Sequence, residues 1–529
     1  MANIAEQFMR ELTAPQAWVL LLLPLFLFLV RYSLSARRAR KTRERQQQDD
    51  HHLPPSPLGL PVLGHLHLVG SLPHISLRSL AMKHGYDLML LRLGAMPVLV
   101  VSSPRAAEAV LRTHDHVFAS RAHSLVAEIV LYGPSDVGFA PYGDYWRKAR
   151  KLITTHLLTV KRVQSLRHAR EEEMSTVMAR IGEAAAAGVA VDVSDLLGSF
   201  ANDLACRAVM GKSYRDEGRS KLFRQLVVDT SPLLGGFNVE EFFPFLARFG
   251  VLSKVVRAKS ERLSRRWDEL LDRLIDDHES KYDAMANDPK DEDEDFIHVL
   301  LSVRQEYGLG REQMKAILLD VFFGGIDTAA TVLENTVVEL IKSPHVMSKL
   351  QAEVRSIVPK EHDFVSEADL NDNMAYLRAV IKESLRLRAP APLLAPHLST
   401  ATCSVVDGVV VPAGMRVMIN VWAIGRDPRF WGEDAEEFVP ERFHGGGSAA
   451  DVGFKGNDFQ FLPFSAGRRQ CPGINFGLAA VEVMLANLVH HFDWEMPAGK
   501  EARDIDMSEE FGLVVHRKEK LLSVPKLRV

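Results

Sequence analysis

The chain has few cysteines and little net charge, and each shortage excludes a class of protein. Three cysteines occur among 529 residues, at positions 206, 403 and 471, without a Cys-x-x-Cys pair. A disulfide framework or a zinc site of paired cysteines is therefore not expected, and a reducing compartment fits. The net charge of −4 leaves no basic footprint for nucleic acid. No Gly-x-Gly-x-x-Gly stretch follows a predicted strand, so a built-in dinucleotide-binding domain is not expected either.

The sequence does contain one long apolar run, near its start. Ala17 to Val30 carries no charge, and with its neighbours it reaches the length of about 20 residues that spans a bilayer. Seven basic residues follow from Arg31 to Arg45, which predicts a membrane anchor with the rest of the chain in the cytosol. The alternative is a cleaved signal peptide with a processing site at Ser33–Ser35, but its basic charge would lie on the wrong side.

We divide the chain into three parts on this basis. Residues 1–34 are the predicted anchor, residues 35–64 a basic linker and proline-rich hinge, and residues 65–529 a single large domain. Most of this domain has helical periodicity. Local patterns predict strands at 88–93 and 97–102, helices at 141–152, 311–342 and 376–387, a hairpin at Asp407-Gly408, a helix break at 231–237 and an acidic loop at 288–295.

Cys471 lies between a glycine-containing turn with two arginines and a predicted helix. Pro472 suits the first turn of that helix. The positive end of the helix dipole is expected to lower the pKa of the thiol and make the sulfur a metal ligand. A lone cysteine is more often a small buried hydrophobe, so the neighbouring residues decide between the two readings.

The predicted helix 311–342 has a glycine pair, Gly324-Gly325, followed by Ile326-Asp327-Thr328. Each glycine within a helix costs about 1 kcal/mol of stability relative to alanine. A pair of glycines therefore indicates that the helix needs space beside it, for example for a flat group that lies close by. Thr328 can hydrogen-bond back to a carbonyl one turn earlier. The alternative is packing against a crossing helix, with Asp327 in solvent.

Two further pairs have helical spacing. Trp146 and Arg150 are four residues apart and share a face, which by itself indicates an ordinary stacked contact. Glu383 and Arg386 are three apart, and an exposed pair of this kind contributes only tenths of a kcal/mol.

Together these segments resemble the cytochrome P450 family. Phe464 to Gly473 is similar to its haem-ligating signature, Asp327-Thr328 to its oxygen-activation motif, and Trp146 and Arg150 to its propionate-binding motif. Glu383 and Arg386, with Arg442 from Pro440-Glu441-Arg442-Phe443, resemble its structural Glu–Arg–Arg triad. The motifs occur in the family's order over nearly the whole chain.

The resemblance implies a mainly α fold, a helical prism with small β-sheets, behind a single N-terminal transmembrane helix. It implies haem b bound through Cys471, with Trp146, Arg150, His397 and Arg469 at the cofactor's propionates and Asp327 and Thr328 as catalytic residues that organise protons. Thiolate ligation favours O–O cleavage, so the implied enzyme is a monooxygenase. Residues 231–237 resemble the loop over the family's substrate pocket.

The implied partners are an NADPH–cytochrome P450 reductase, O2 and a small apolar substrate, at the endoplasmic reticulum membrane, with plastid targeting as an alternative. Stretches such as Gly64–Gly70 and Phe511–Lys520 resemble grass members that oxidise indole and indolin-2-one intermediates of benzoxazinoid biosynthesis. Other plant metabolites, such as terpenoids or phenolics, are the first alternative. A haem-thiolate isomerase or dehydratase and a non-catalytic haem protein are the others, and the Asp327-Thr328 pair argues against both.

Overall fold

The computed structural model describes residues 53–133, 135–212, 220–236, 238–244, 254–285, 295–359, 362–370 and 373–528. The predicted anchor and the linker up to residue 52 lie outside the described residues, as do residues 288–294 of the predicted acidic loop. Within residues 54–64, the predicted hinge, the chain forms neither helix nor strand, and the carbonyl of Pro55 accepts the N–H of Leu90 at 2.9 Å.

Helices make up most of the described chain. Numbered in order, the α-helices are α1 Pro73–His84, α2 Pro104–Glu108, α3 Asp115–Phe118, α4 Leu125–Val130, α5 Asp144–Leu152, α6 Val160–Ser165, α7 Arg167–Ala187, α8 Val193–Met210, α9 Ser220–Gly235, α10 Val239–Phe242, α11 Lys254–Met285, α12 Phe296–Tyr307, α13 Arg311–Lys342, α14 Pro344–Ile357, α15 Ala375–Leu387, α16 Val421–Ile424, α17 Pro428–Trp431 and α18 Ile474–His491. Short π-helical segments at Ala109–Thr113 and Ile153–Leu157 extend α2 and α5.

The strands form four small sheets. They are β1 Leu88–Leu93, β2 Met96–Val101, β3 Ser120–Arg121, β4 Val191–Asp192, β5 His397–Leu398, β6 Cys403–Ser404, β7 Val410–Val411, β8 Arg416–Ile419, β9 Phe492–Glu495, β10 Glu509–Glu510, β11 His516–Arg517 and β12 Leu522–Leu527. The largest sheet has the order β1-β2-β8-β5-β3, in which only β2 and β8 run parallel. The others are β4-β12-β9, β6-β7 and β10-β11.

Helix α13 is the centre of the main hydrophobic core. It packs against α8, α9, α15 and α18, and it is long and apolar enough to cross a membrane by composition. Because 67% of its most apolar window is buried within the protein, its composition is that of a core helix. The predicted bounds 311–342 are confirmed, as are the strand pair near 88–101, the helix ending at Leu387 and the hairpin at Asp407-Gly408.

Two local predictions are wrong. Helix α9 continues through Pro232 to Gly235 instead of breaking at residue 231, since a proline so close to a helix end removes one hydrogen bond without stopping the last turn. Helix α18 begins at Ile474 with Gly473 as its N-cap, so Pro472 precedes the first turn and does not belong to it.

The predicted Glu–Arg–Arg triad is present and buried. The carboxylate of Glu383 accepts from Nε and Nη2 of Arg386 at 2.7 and 2.8 Å and from Nε of Arg442 at 3.4 Å. It also accepts the N–H of Val439 at 2.7 Å. Arg386 donates onward to the carbonyls of Gly425 and Ala435. The triad therefore ties α15 to the irregular segment that leads to the Cys471 loop.

Candidate active site

The Cys471 loop is held in a strained turn. Ser465 and Gly467 have positive φ angles of 61° and 66°, and a Cβ on Gly467 would lie 2.2 Å from the carbonyl oxygen of Leu111, so only glycine fits there. A 3₁₀ turn at Gly467–Arg469 follows. The N–H of Cys471 then donates to the carbonyl of Phe464 at 2.9 Å, which fixes the start of the turn into α18.

The Cys471 residue keeps solvent-accessible surface, while its thiol is enclosed by the protein. Burial raises the pKa of the thiol above its usual value. The N–H of Gly473 and the Arg150 guanidinium lower the pKa but do not outweigh burial. The predicted net lowering of this pKa is therefore wrong for the protein on its own. Burial destabilises the thiolate by more than one N–H and one cation stabilise it.

The centre of α13 is adjacent to the helix that follows Cys471. A Cβ on Gly325 would contact Phe476 of α18 at 3.8 Å, which puts the glycine pair next to the helix that follows Cys471. A Cβ on Gly324 would meet no atom within 4 Å, and Gly324 is exposed in a helix that is otherwise largely buried. Gly324 therefore borders open space. The alternative, in which the glycines pack tightly against a crossing helix, does not apply to Gly324.

Arg469 is a buried cation with polar contacts on every side. Its guanidinium donates to the carbonyls of Ala119, Val137 and Ala140 at 2.6, 2.9 and 2.5 Å. It stacks on the Trp146 ring at 4.3 Å, and the Trp146 indole N–H donates to the carbonyl of Val137 at 2.9 Å. In this structure Trp146 thus supports Arg469, and its own hydrogen bond goes to the main chain.

Arg150 and His397 lie beside the same region. Arg150 is partly buried and donates to the carbonyl of Gln470 at 2.5 Å. His397, on β5, is buried, and its Nδ1–H donates to the carbonyl of Phe118 at 2.8 Å. Burial, with Arg121 and Arg469 nearby, lowers the pKa of His397 well below its usual value, so the ring is neutral and its Nε2 lone pair is available.

Arg121 belongs to this cluster and was missed by the sequence patterns. It is buried on β3 and donates to the carbonyls of Gly138 and Ala395 at 2.9 and 2.6 Å. Burial, reinforced by Arg469, lowers its pKa to about 9. An arginine two residues after the apolar run Val117-Phe118-Ala119 was the available signal, because an arginine in a buried strand requires a partner.

Two buried carboxyls, Asp136 and Asp320, lie near these cations. Asp136 and Asp320 accept the N–H groups of Phe139 and Val137, each at 2.6 Å. Burial raises the pKa of Asp136 to about 6, and burial together with Asp136 raises the pKa of Asp320 well above its usual value. Within the described residues no ion pair joins Arg121, Arg150 or Arg469 to a carboxylate. The region therefore has an excess of positive charge.

The predicted acid–alcohol pair is present on α13. Thr328 donates to the carbonyl of Gly324 at 2.6 Å, as expected, and Asp327 is buried with 7% of its surface exposed. Asp327 is not solvated: its Oδ2 lies 3.1 Å from Nε2 of His516 on β11. The other nitrogen of His516 lies 3.1 Å from the hydroxyl of Thr331, which donates to the carbonyl of Asp327. His516 is 189 residues from Asp327 in the chain, and no motif pointed to it.

A cavity of about 120 Å³ lies between the end of α9, α10, β8 and the loop 511–513. Its walls are mostly apolar, and Arg121 connects it to the cation cluster. Arg416 and Glu241 form a buried ion pair of 3.0 Å in its wall. Cys471, Asp327 and Thr328 do not line this cavity. Gly235 and Gly236 do, so the end of α9 does cover a pocket as the resemblance implied.

A haem, the group that the resemblance implies, fits these residues on three counts. Cys471 offers a soft sulfur donor. Gly324 borders space that a side chain would fill. Arg121 and Arg469, both buried, and the partly buried Arg150 form a cationic region with no paired carboxylate among the described residues, which suits a group with two negative charges.

Comparison with known proteins identifies the family. The family model for cytochrome P450 matches residues 54–524. The chain is 52% identical over 521 residues to indole-2-monooxygenase of Zea mays, covering 98% of this chain and 96% of the relative. It is 51% identical over 518 residues to indolin-2-one monooxygenase of Zea mays (96% and 95%), and 49% identical over 510 residues to its 3-hydroxyindolin-2-one monooxygenase (95% and 94%).

A solved structure supports the same fold. A zebrafish cytochrome P450, determined with abiraterone, superposes with a TM-score of 0.71 at 23% identity, over 87% of this chain and all of that one. The mainly helical architecture with small sheets is therefore that of the family. The chain belongs to the cytochrome P450 family and is a haem-dependent monooxygenase.

Proposed function

We propose that this enzyme inserts one atom of O2 into a small bicyclic nitrogen compound, indole or an indolin-2-one derivative, as a step of benzoxazinoid biosynthesis. The observation that carries the proposal is identity of about one half, over nearly the whole chain, with three maize enzymes named for oxidation of indole and indolin-2-ones. The cavity under α9 agrees with such a substrate, since its lining side chains are apolar apart from the Arg416–Glu241 pair, Arg121 and Ser124.

We assign the cofactor contacts residue by residue. Cys471 would bind the haem iron, and Arg150, Arg469 and His397 would receive the propionates, together with Arg121; Trp146 would hold Arg469 in place through its ring. When bound through a thiolate, haem supplies the chemistry that activates O2. A propionate near His397 would favour protonation of Nε2, so the neutral ring of this structure would become a donor.

Asp327 and Thr328 would hold the protons that the reaction consumes. Asp327 is buried beside Thr328 on α13, and its Oδ2 contacts His516, which is partly exposed. A proton on His516 Nε2 can pass to Asp327 Oδ2 across 3.1 Å without a change of fold. We therefore assign His516 as a positioning residue that connects Asp327 to the surface.

The role of His516 is tested by the pH dependence of coupling, which is the amount of product formed per NADPH consumed. Burial opposes the charged ring, but the hydrogen bond and charge of Asp327, with Glu334, raise the pKa of His516 above its usual 6.5. The proton on His516 is thus present below pH 6.5 and lost as the pH rises through the raised pKa. In the wild type, we expect the amount of product formed per NADPH to fall, by about tenfold or less, as the pH rises from 6.5 through the raised pKa of His516. A direct proton donor would have a larger effect, roughly 10²- to 10⁴-fold.

In the variant His516→Gln we expect lower coupling that does not change over the same pH range. His168→Gln, at an exposed histidine of α7, is the matched control and should keep the wild-type profile. Superimposable pH profiles of the wild type and His516→Gln would rule out this role.

The electron donor and the location are further parts of the proposal. We propose that electrons come from NADPH through a separate NADPH–cytochrome P450 reductase, since the chain has no dinucleotide-binding fingerprint.

We also propose that residues 1–34 anchor the enzyme to the endoplasmic reticulum with the catalytic domain, residues 65–529, in the cytosol. This rests on the charge asymmetry after Val30. Selective permeabilisation and protease digestion of microsomes would show the domain cleaved from the cytosolic side.

A substrate panel tests the activity. Microsomes containing the enzyme and a plant reductase are incubated with NADPH and indole, indolin-2-one, 3-hydroxyindolin-2-one, a monoterpene or a simple phenol, and products are identified by mass spectrometry. We expect NADPH-dependent gain of one oxygen on at least one of the first three compounds and at least tenfold less turnover of the last two. Turnover confined to the terpene or phenol would favour the first alternative, and turnover without NADPH would favour an isomerase or dehydratase.

A further inference from the structure

A cluster of two histidines and one aspartate lies where α11 meets α12, outside the site described above. His278 is near the end of α11, Asp295 is the N-cap of α12, and His298 is in the first turn of α12. Their ligand atoms all lie within 4.8 Å of one another. His278 and Asp295 are buried, with 3% and 5% of their surface exposed. Neither the haem site nor the substrate cavity uses these residues.

One carboxylate oxygen is the centre of the cluster. Oδ2 of Asp295 lies 3.0 Å from Nε2 of His278 and 3.1 Å from Nδ1 of His298. Oδ1 of Asp295 accepts the N–H of His298 at 2.8 Å, so the N-cap uses one oxygen and leaves Oδ2 to the two rings. Ligands about 2.0–2.2 Å from a zinc ion lie roughly 3 Å apart or slightly more, which is close to the spacing of these atoms.

The orientation of His278 favours a metal ligand. Its Nδ1 lies 2.6 Å from the carbonyl of Leu274, one turn earlier in α11, so Nδ1 carries the proton. In a neutral ring the lone pair is then on Nε2, which points at Asp295. A hydrogen bond from the other ring nitrogen to a main-chain carbonyl is the usual way in which proteins orient a histidine ligand. Without a metal, Nε2 needs a second proton to contact the carboxylate favourably.

We propose that His278, Asp295 and His298 bind one zinc ion that joins α11 to α12. Two imidazoles and one carboxylate are a frequent set of three zinc ligands, and water completes four-coordination. When zinc binds, it takes the place of the proton on Nε2 of His278 that faces Asp295, and that proton is released to solvent. Its effect is structural: it joins the ends of two helices whose connection is the acidic stretch of the sequence before Asp295.

Zinc stoichiometry of the purified, haem-loaded full-length protein tests this site. The untagged protein is freed of zinc with a chelator and titrated with zinc from below to above the protein concentration, and bound zinc is measured by a competing chromophoric chelator and by elemental analysis. We expect one tightly bound zinc per chain and a rise in the thermal midpoint when zinc is added. Haem content and the carbonyl spectrum show that each variant is folded.

Three variants decide the outcome. Asp295→Asn keeps an oxygen for the N-cap but loses the anionic ligand, and His278→Gln loses an imidazole; each is expected to weaken zinc binding by about 10- to 100-fold or more. His345→Gln, at an exposed residue of α14, is the control and should bind zinc like the wild type. Equal zinc affinity in the wild type and in both site variants, or no zinc-dependent change in thermal midpoint, would overturn the proposal.

Discussion

Replacing Cys471 by serine is expected to abolish NADPH-dependent monooxygenation while leaving much of the fold intact. Cys471 is the cysteine of the loop that Gly467 and the Phe464 carbonyl hold in place at the start of α18. A serine hydroxyl is nearly isosteric but has no soft sulfur for iron and donates less electron density. We expect product formation to fall to the background of microsomes without enzyme, with circular dichroism unchanged.

A matched control is available in the same chain. Cys403 is a partly exposed cysteine on β6, far in sequence from the loop, so Cys403→Ser should retain wild-type turnover. If Cys471→Ser kept a substantial share of the wild-type rate, the assignment of Cys471 as the iron ligand would be wrong. Loss of activity in Cys403→Ser as well would point to a general effect of thiol removal.

Replacing Glu383 by glutamine is expected to destabilise the fold by about 3–5 kcal/mol. The change removes the negative charge but little volume, so the buried Arg386 guanidinium loses its anion, and Arg442 keeps only its pair with Asp434. Removing one partner of a buried ion pair costs about this much because the remaining charge is desolvated and unpaired. The side chains of Arg386 and Arg442 and the N–H of Val439 all donate to that carboxylate.

Denaturation measures this cost. We expect a lower midpoint in urea and a smaller yield of haem-containing protein for Glu383→Gln. Glu495→Gln is the control, because Glu495 is exposed and lies 3.7 Å from Lys526; surface pairs contribute about 0–1 kcal/mol. Equal midpoints for Glu383→Gln and Glu495→Gln would show that the triad contributes no more than a surface pair.

Local patterns predicted the elements that carry the site, since these depend on residues close in sequence. The helical period from Arg311 to Lys342 and the back-bond of Thr328 to Gly324 are both properties of one helix. The Glu383–Arg386 pair is set by its spacing on α15. The spacing did not predict that the pair is buried, which is what makes it stabilising. The burial comes from segments 39 to 59 residues away in the chain.

The parts that the sequence did not predict depend on distant contacts. His516 reaches Asp327 only because β11 folds back against α13. Arg121 lies near Arg469 because Arg469 donates to the carbonyl of Ala119, two residues before Arg121. The pKa of Cys471 was predicted in the wrong direction, since the helix end is a local effect and the burial that outweighs it is not. Pro232 was read as a break because its position relative to the end of α9 was unknown.

The absorption spectrum of the reduced, carbon monoxide-bound protein tests the central claim most directly. Cys471 as a thiolate ligand of haem predicts a Soret band with the red shift that thiolate ligation produces, and it predicts loss of that shift in Cys471→Ser. A Soret band without the shift in the wild type, from protein that contains haem and is folded, would contradict the account. So would a red-shifted band that persists in Cys471→Ser.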